Sequence, residues 1–241
     1  MAPKIRMTQV KAIHDISPHM RRVVLTGEAL SDFPVDRKSA HVKAIFPDPG
    51  AANKLPRLGA YAGFKTWMRS YTIREFDPKT QELWLDFAIF DHQGLASNWA
   101  QSAMVGDYLG IAGPGDVKHP KLGVDNHLLI GDLTALPVIA ATLEMLPEQA
   151  TGSAFIQVPT HKDIQTLNKP AGIAVEWLVT ENKKTERFLS TLSAQKTTLT
   201  DTSILIAAEA SIVKQLKSYL KEHCEYSKKN LYASAYWNSK K

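Results

Sequence analysis

Cysteine is nearly absent from this chain: its 241 residues hold one, Cys224. A lone thiol makes no internal disulfide, which argues against a stapled secreted scaffold and for a reducing cytoplasm. It also leaves an iron–sulfur cluster short of ligands, so redox chemistry here requires an organic cofactor. The eight histidines are scattered, with no His-Glu-x-x-His pair and no Cys/His group, so no protein metal site is expected. A run of about 18 apolar residues is missing, so no membrane span is expected. The first ten residues lack an apolar stretch, so no secretory signal is expected either. A Gly-x-Ser-x-Gly elbow and a P-loop are also missing, which removes two common routes to hydrolysis and phosphoryl transfer. Acids are missing from the end of the chain. Residues 226–241 hold Lys228, Lys229, Lys240 and Lys241 and no Asp or Glu, which is +4 of the net +5. Without a basic helix carrying interleaved aromatics, that tail does not imply nucleic-acid binding.

What remains is the composition of an ordinary globular protein, 44% hydrophobic and 22% charged, long enough for two modest domains. The first half reads as β. Short runs rich in Val, Ile, Phe and Tyr at 20–26, 41–47, 68–76 and 81–90 are separated by turn formers such as Asp77-Pro78-Lys79-Thr80, with the last two runs forming a hairpin. Strands without long intervening helices suggest a closed or nearly closed barrel. Residues 47–63, rich in Pro and Gly, form a long loop. Past about residue 120 the pattern changes. Apolar strands at 126–131, 153–158, 174–179 and 203–207 alternate with helical spacing at 134–146, 185–192 and 210–222, which implies a parallel sheet with helices on its faces. The expected domains are 1–122 and 123–241.

The strand Met68-Arg69-Ser70-Tyr71-Thr72-Ile73-Arg74 alternates residue types, with Arg69, Tyr71 and Ile73 on one face and Ser70, Thr72 and Arg74 on the other. Guanidinium forks, an aromatic ring and hydroxyls suit a flat, anionic cofactor. An exposed barrel strand with ordinary surface arginines accounts for the same residues. Further on, Gly94-Leu95-Ala96-Ser97-Asn98-Trp99-Ala100 opens a helix whose free N–H groups suit phosphate, with Ser97 either the N-cap or a direct ligand. Gly131-Asp132-Leu133-Thr134-Ala135-Leu136-Pro137 and Ala207-Ala208-Glu209-Ala210 are strand–helix junctions of the kind that line ligand sites in open α/β sheets. At the end of the second strand, Gln157-Val158-Pro159-Thr160-His161-Lys162 offers a lysine and no acid, which leans towards NADPH over NADH.

Taken in order, Arg69-x-Tyr71-Thr72-x-Arg74, the stretch from Asp86-Phe87 to Trp99-Ala100, Gly131–Pro137 and Tyr232-Ala233-Ser234-Ala235-Tyr236-Trp237 resemble the siderophore-interacting proteins, a branch of the ferredoxin-reductase-like flavoenzymes. The resemblance implies a six-stranded antiparallel FAD-binding barrel followed by a parallel-sheet NAD(P)H-binding domain. It places Arg69 at the flavin pyrophosphate, Tyr71 along the isoalloxazine, Thr72 at the ring's N5 edge and Arg74 on remaining phosphate charge. The implied cofactor set is completed by Ser70, Asp86, Phe87, Ala88, Phe90, His92, Leu95, Ala96, Ser97 and Trp99 in the first domain. In the second domain it is completed by Asp132, Thr134, Ala135, Glu209 and Trp237. A basic pocket of Lys54, Lys118 and Lys240 is implied for an anionic ferric siderophore. The chain departs from the family pattern at Phe90 (for His), Leu95 (for Pro), Leu133 (for Glu), Ala208 (for Gly), and Gly115 and Asn238 (both for Arg).

The function this implies is a cytoplasmic, monomeric ferric-siderophore reductase that passes electrons from NADPH or NADH through FAD to siderophore-bound iron(III). Flavin suits the task because it takes two electrons and releases them singly. A reductase fed by a ferredoxin-type donor and a non-enzymatic ferric-siderophore binding protein are the alternatives.

Overall fold

The computed structural model describes residues 4–51, 54–59, 64–90, 94–121, 123–180, 185–194 and 198–239. The chain divides into two compact units, Met1–Val117 and Lys118–Lys241. In the first, β1 (Ile5–Ser17), β2 (Met20–Thr26), β3 (His41–Ile45), β4 (Met68–Thr72), β5 (Glu75–Asp77), β6 (Glu82–Ala88) and β7 (Tyr108–Ala112) form one sheet in the order β4-β3-β7-β1-β2-β6-β5. Every pairing is antiparallel. Helix α1 (Leu95–Ser102) lies between β6 and β7 in the chain.

The sheet has seven strands where six were expected, because the run at 68–76 splits into β4 and β5. These two strands lie at opposite ends of the strand order, and Ile73–Arg74 joins them. Ile73 N–H donates to the Ala40 carbonyl beside β3, while Arg74 N–H donates to the Trp84 carbonyl on β6. One dipeptide therefore joins the two edge strands and bonds residues beside β3 and on β6, next to each edge, which makes the sheet barrel-like. Ile73 is fully buried with Val23, Leu25, Phe46, Leu85 and Ile111 in the barrel core.

The second unit holds β8 (Asn126–Asp132), α2 (Leu136–Met145), β9 (Thr151–Val158), β10 (Ile173–Val179), α3 (Thr185–Ser193), β11 (Thr198–Leu199), β12 (Thr202–Glu209), α4 (Ala210–His223), β13 (Glu225–Tyr226) and β14 (Leu231–Trp237). Five of its strands make a parallel sheet in the order β10-β9-β8-β12-β14, and β11 pairs with β13 apart from it. The chain runs outward from β8 through β9 to β10, then returns to place β12 on the other side of β8. The sheet's topological switch point therefore lies between β8 and β12, where open α/β sheets form their ligand crevice at the carboxyl ends. The helix expected over 134–146 begins instead with a 3-10 turn, Leu133–Ala135, and Pro137 in the first turn of α2 suits that start. Gly131 allows this close approach. A Cβ there would lie 2.6 Å from Ala135 Cβ and 2.8 Å from the Ala207 carbonyl oxygen. On α4, Ile212, Val213, Leu216 and Leu220 form the buried stripe expected of helical spacing and pack with Leu128, Ile130, Ile204 and Ile206.

Candidate functional site

In the first unit β4 pairs with β3 so that Arg69 opposes Ala44 and Tyr71 opposes Val42. Opposed residues share a face, so Arg69 and Tyr71 lie on one face and Ser70, opposite Lys43, on the other. Arg69 is exposed and donates to the Thr66 and Met68 carbonyls at 3.0 and 2.7 Å. Ser70 is exposed and accepts from Lys43 Nζ at 2.5 Å, Thr72 is buried and Arg74 half-buried. The Tyr71 ring sits 4.2 Å from Phe87, which is 5.6 Å from Trp99 of α1; Phe46 touches both Tyr71 and Trp99. Burial pushes the Tyr71 phenol well above its ordinary pKa against a smaller opposing pull from Arg69, so it stays a neutral donor and acceptor.

The aromatic cluster ties β4 to α1 and so positions the helix start. The N-cap is Gly94, not Ser97; Ser97 is the third helical residue and is buried. Gly94 serves because its own N–H is met by the Asn98 carboxamide oxygen at 3.2 Å. Among the described residues no side chain caps the first turn, which leaves the N–H groups of Leu95, Ala96 and Ser97 without an acceptor from the helix's own cap. At the other end, Arg21 of β2 donates to the Ala100 and Gln101 carbonyls, where a cation complements the helix dipole.

Asp86 is held by a neighbouring strand. Both of its carboxylate oxygens are taken by the Arg22 fork at 2.7 and 2.8 Å, and Arg22 lies over the Trp84 ring. Phe87 is fully buried. Ala88 and Phe90 are half-buried past that strand's core, with Phe90 stacked on His19. His92 lies outside the described residues.

In the second unit the carboxyl ends of β8, β12 and β14 converge. Asp132 Oδ1 accepts from Thr134 N and Oγ1 at 2.9 and 2.5 Å, and Oδ2 accepts from Glu209 N at 3.0 Å and Trp237 Nε1 at 2.8 Å. Glu209 caps α4 by accepting from Ser211 N, Ser211 Oγ and Ile212 N, and its other oxygen accepts from Ser239 N and Oγ, each at 3.2 Å. Burial opposes ionisation of Glu209, but hydrogen bonds from Ser211, Ser239 and Ile212 outweigh it and hold the acid at about 2. Ala135 is fully buried in the turn below.

Two family models cover the chain almost end to end. The "Siderophore-interacting FAD-binding domain" matches residues 9–118 and "Siderophore-interacting protein" matches residues 124–240. The chain belongs to the siderophore-interacting protein family. Among the family's relatives, the ferric vibriobactin reductase ViuB of Vibrio cholerae serotype O1 is 30% identical over 92% of this chain and 85% of its own. The NADPH-dependent ferric-chelate reductase of Escherichia coli K12 is 30% identical over 98% and 94%. The crystal structure of the siderophore-interacting protein SipS from Aeromonas hydrophila superposes with a TM-score of 0.89 at 32% identity, over 99% of this chain and 93% of that one. A ferredoxin reductase in carbazole 1,9a-dioxygenase, at 14% identity over 98% of this chain and 70% of its own with a TM-score of 0.70, shares the ferredoxin-reductase-like fold alone.

Two departures from the family's sequence pattern are buried. Leu133 and Ala208 are 1% and 0% exposed, so each adds an apolar group to the unit's interior. Beyond β9, an acid does stand near the strand end, but it points inward. Asp163 is fully buried and accepts from Thr160 N and Oγ1 at 3.1 and 2.7 Å, which leaves His161 and Lys162 exposed. Lys54 is exposed in the loop after β3, and Lys118 is exposed with its ammonium 5.9 Å from the centre of the Tyr232 ring; Lys240 lies outside the described residues. Among the described residues no group of His, Cys, Asp and Glu could hold a metal ion, and no helix is long and apolar enough to cross a membrane. Sequence reasoning missed Arg21, Arg22, Phe46 and Ser239. Only the Arg21-Arg22 pair, two cations inside an apolar strand, leaves a visible signal.

Proposed function

We propose that this protein is an FAD-dependent ferric-siderophore reductase that carries electrons from NAD(P)H to iron(III) held by a siderophore. The observation that carries this reading is the donor set of the first unit. An uncapped helix start, the exposed Arg69 fork and the Tyr71 ring suit a planar, anionic diphosphate group. Leu95, Ala96 and Ser97 offer backbone N–H groups to phosphate, Arg69 supplies cationic charge and Tyr71 an aromatic face. Flavin bound there supplies a hydride acceptor that gives up electrons one at a time, as iron(III) requires. Hard oxygen ligands hold iron(III) better than iron(II), so reduction frees the metal.

In the second unit, the switch-point crevice takes the nicotinamide nucleotide. Exposed Lys162 and His161, with Asp163 turned inward, favour the 2′-phosphate of NADPH, in line with the name of the Escherichia coli relative. Lys54, Lys118 and Lys240 draw the anionic ferric siderophore as mobile point charges. The protein works as a monomer in the cytoplasm, a setting supported by its single cysteine. A ferredoxin-type donor is the second reading, favoured by Leu133, which buries an apolar side chain where the family pattern has an acid.

The direct test is the spectrum of the purified protein. It is expected to be yellow, to release FAD on heating, and to bleach without oxygen on addition of NADPH. A colourless protein that takes up no added FAD overturns the reading; bleaching only by a reduced ferredoxin moves the donor to the second one.

A further inference from the structure

Domain boundaries ordinarily fall in exposed, flexible linkers, often rich in Pro and Gly. The crossing between the two units has that composition, Gly113-Pro114-Gly115-Asp116-Val117-Lys118-His119-Pro120, yet it is held on both sides. In the first unit Gly113 N–H donates to the Lys4 carbonyl at 3.1 Å, and the Gly113 carbonyl accepts from Arg6 Nη1 at 2.7 Å. Gly115 N–H donates to the His41 carbonyl at 2.9 Å, and Val117 packs against the barrel core. In the second unit His119 is 2% exposed. Its Nδ1 lies 3.5 Å from the Ser203 hydroxyl of β12, which also accepts from Lys121 N at 3.4 Å. Its ring lies 5.4 Å from the Tyr232 ring of β14. Burial, with Lys121 and His127 nearby, keeps that ring uncharged at neutral pH. Each anchor lies within its own unit, and Lys118 alone stands between Val117 and His119.

We propose that His119 is a positioning residue that seats the crossing on the second sheet, removes slack between the units, and thereby sets the rate at which NADPH reduces the flavin. The proposal rests on the reading of the two units as flavin and nicotinamide-nucleotide domains. Hydride transfer needs donor and acceptor in near-attack geometry. A tether fixed at both ends keeps the two sites at high effective concentration, and added flexible residues dilute it. Freeing His119 therefore slows hydride transfer while the affinity for each cofactor stays.

The test uses purified protein with its flavin. Two variants add slack by different routes: His119→Ala frees the second anchor, and two glycines inserted between Val117 and Lys118 leave every anchor residue in place. The limiting rate of flavin reduction by NADPH is measured without oxygen, NADP+ affinity by calorimetry and FAD affinity by titration. Hydrogen exchange is followed in a peptide covering residues 115–121. Both variants are expected to show a several-fold lower limiting rate with NADP+ and FAD affinities within about twofold of the parent, and His119→Ala faster exchange in that peptide. His119→Phe, which keeps a ring against Tyr232, is expected to retain most of the parent's rate. A merely structural His119 would lower the melting temperature and leave the limiting rate unchanged. A parent-like limiting rate in the insertion variant overturns the role of slack, and unchanged exchange in His119→Ala overturns the anchor; the insertion decides the rate if His119→Ala does not fold. If NADPH leaves the parent's flavin oxidised, the nucleotide reading fails and takes the rate claim with it, while exchange still decides the anchor.

Discussion

The Arg22–Asp86 pair separates a structural from a ligand-binding role for Asp86, which the family resemblance places among the cofactor residues. The pair is bidentate at 2.7 and 2.8 Å, and its side chains are 17% and 6% exposed. Removing one partner of such a pair leaves a buried charge uncompensated, which costs about 3–5 kcal/mol, whereas replacing both by apolar residues of similar volume is close to neutral. Arg22→Met should therefore lower the melting temperature by roughly 6–20 °C, taking about 2–4 °C per kcal/mol for a chain of this size. The double variant Arg22→Met/Asp86→Leu should recover most of that loss. Thermal unfolding by circular dichroism measures the first effect, and fluorescence titration of FAD into flavin-stripped protein measures the second. If Asp86 acts only by holding β2 to β6, the double variant binds FAD within about threefold of the parent, a difference under about 0.7 kcal/mol. A double variant with the parent's melting temperature and a tenfold or greater loss of FAD affinity would refute this reasoning and put the carboxylate at the cofactor.

Arg69→Ala, which removes an exposed cation without opening a cavity, should weaken FAD by roughly ten- to hundredfold, the value of one charge-assisted contact of about 1.5–3 kcal/mol; titration with FAD checks it. Lys162→Ala should raise the Michaelis constant for NADPH and leave that for NADH nearly unchanged, as read from anaerobic flavin reduction with each donor. Burial, with smaller effects from Lys121 and His127, holds His119 at about 4 against an ordinary 6.5. A depressed histidine binds fewer protons folded than unfolded between those values, so stability is full above pH 6.5 and falls as pH drops towards 4, by about 3 kcal/mol. Denaturant unfolding across that range should show the slope in the parent and a flatter one in His119→Phe.

Most strands whose apolar residues face inward were readable; β7, only five residues long, escaped although Leu109 and Ile111 are fully buried. Strand β1 escaped because its first inward residues are Arg6 and Thr8, 4% and 1% exposed. Each is made tolerable by distant partners: Arg6 by Asp32 and the Gly113 carbonyl, Thr8 by the Leu109 carbonyl. An inward arginine looks like a surface one until its partner 26 residues away is known. The second unit, with apolar strands and striped helices, carried its architecture openly. The candidate site divides the same way. Local signals marked the β4 strand, the α1 start and the two strand–helix junctions. The pairs that give those residues their positions, Arg22 with Asp86 and Asp132 with Trp237, lie 64 and 105 residues apart and leave no periodic trace. Ser97 was misplaced at the helix start for a local reason. Gly94, with no side chain to accept a bond, becomes the N-cap because Asn98 reaches back to it.

The central claim is that electrons from the nicotinamide nucleotide reach siderophore-bound iron through this protein's flavin. Iron release measures it most directly. Purified protein, NADPH and an anionic ferric siderophore are mixed without oxygen in the presence of an iron(II)-trapping chromophore. A hydride carries two electrons and each iron(III) takes one, so the account predicts two iron(II) trapped for every NADPH consumed, with the rate falling as salt screens the basic residues. NADPH consumption without trapped iron, or iron release that proceeds equally well in flavin-stripped protein, would contradict it.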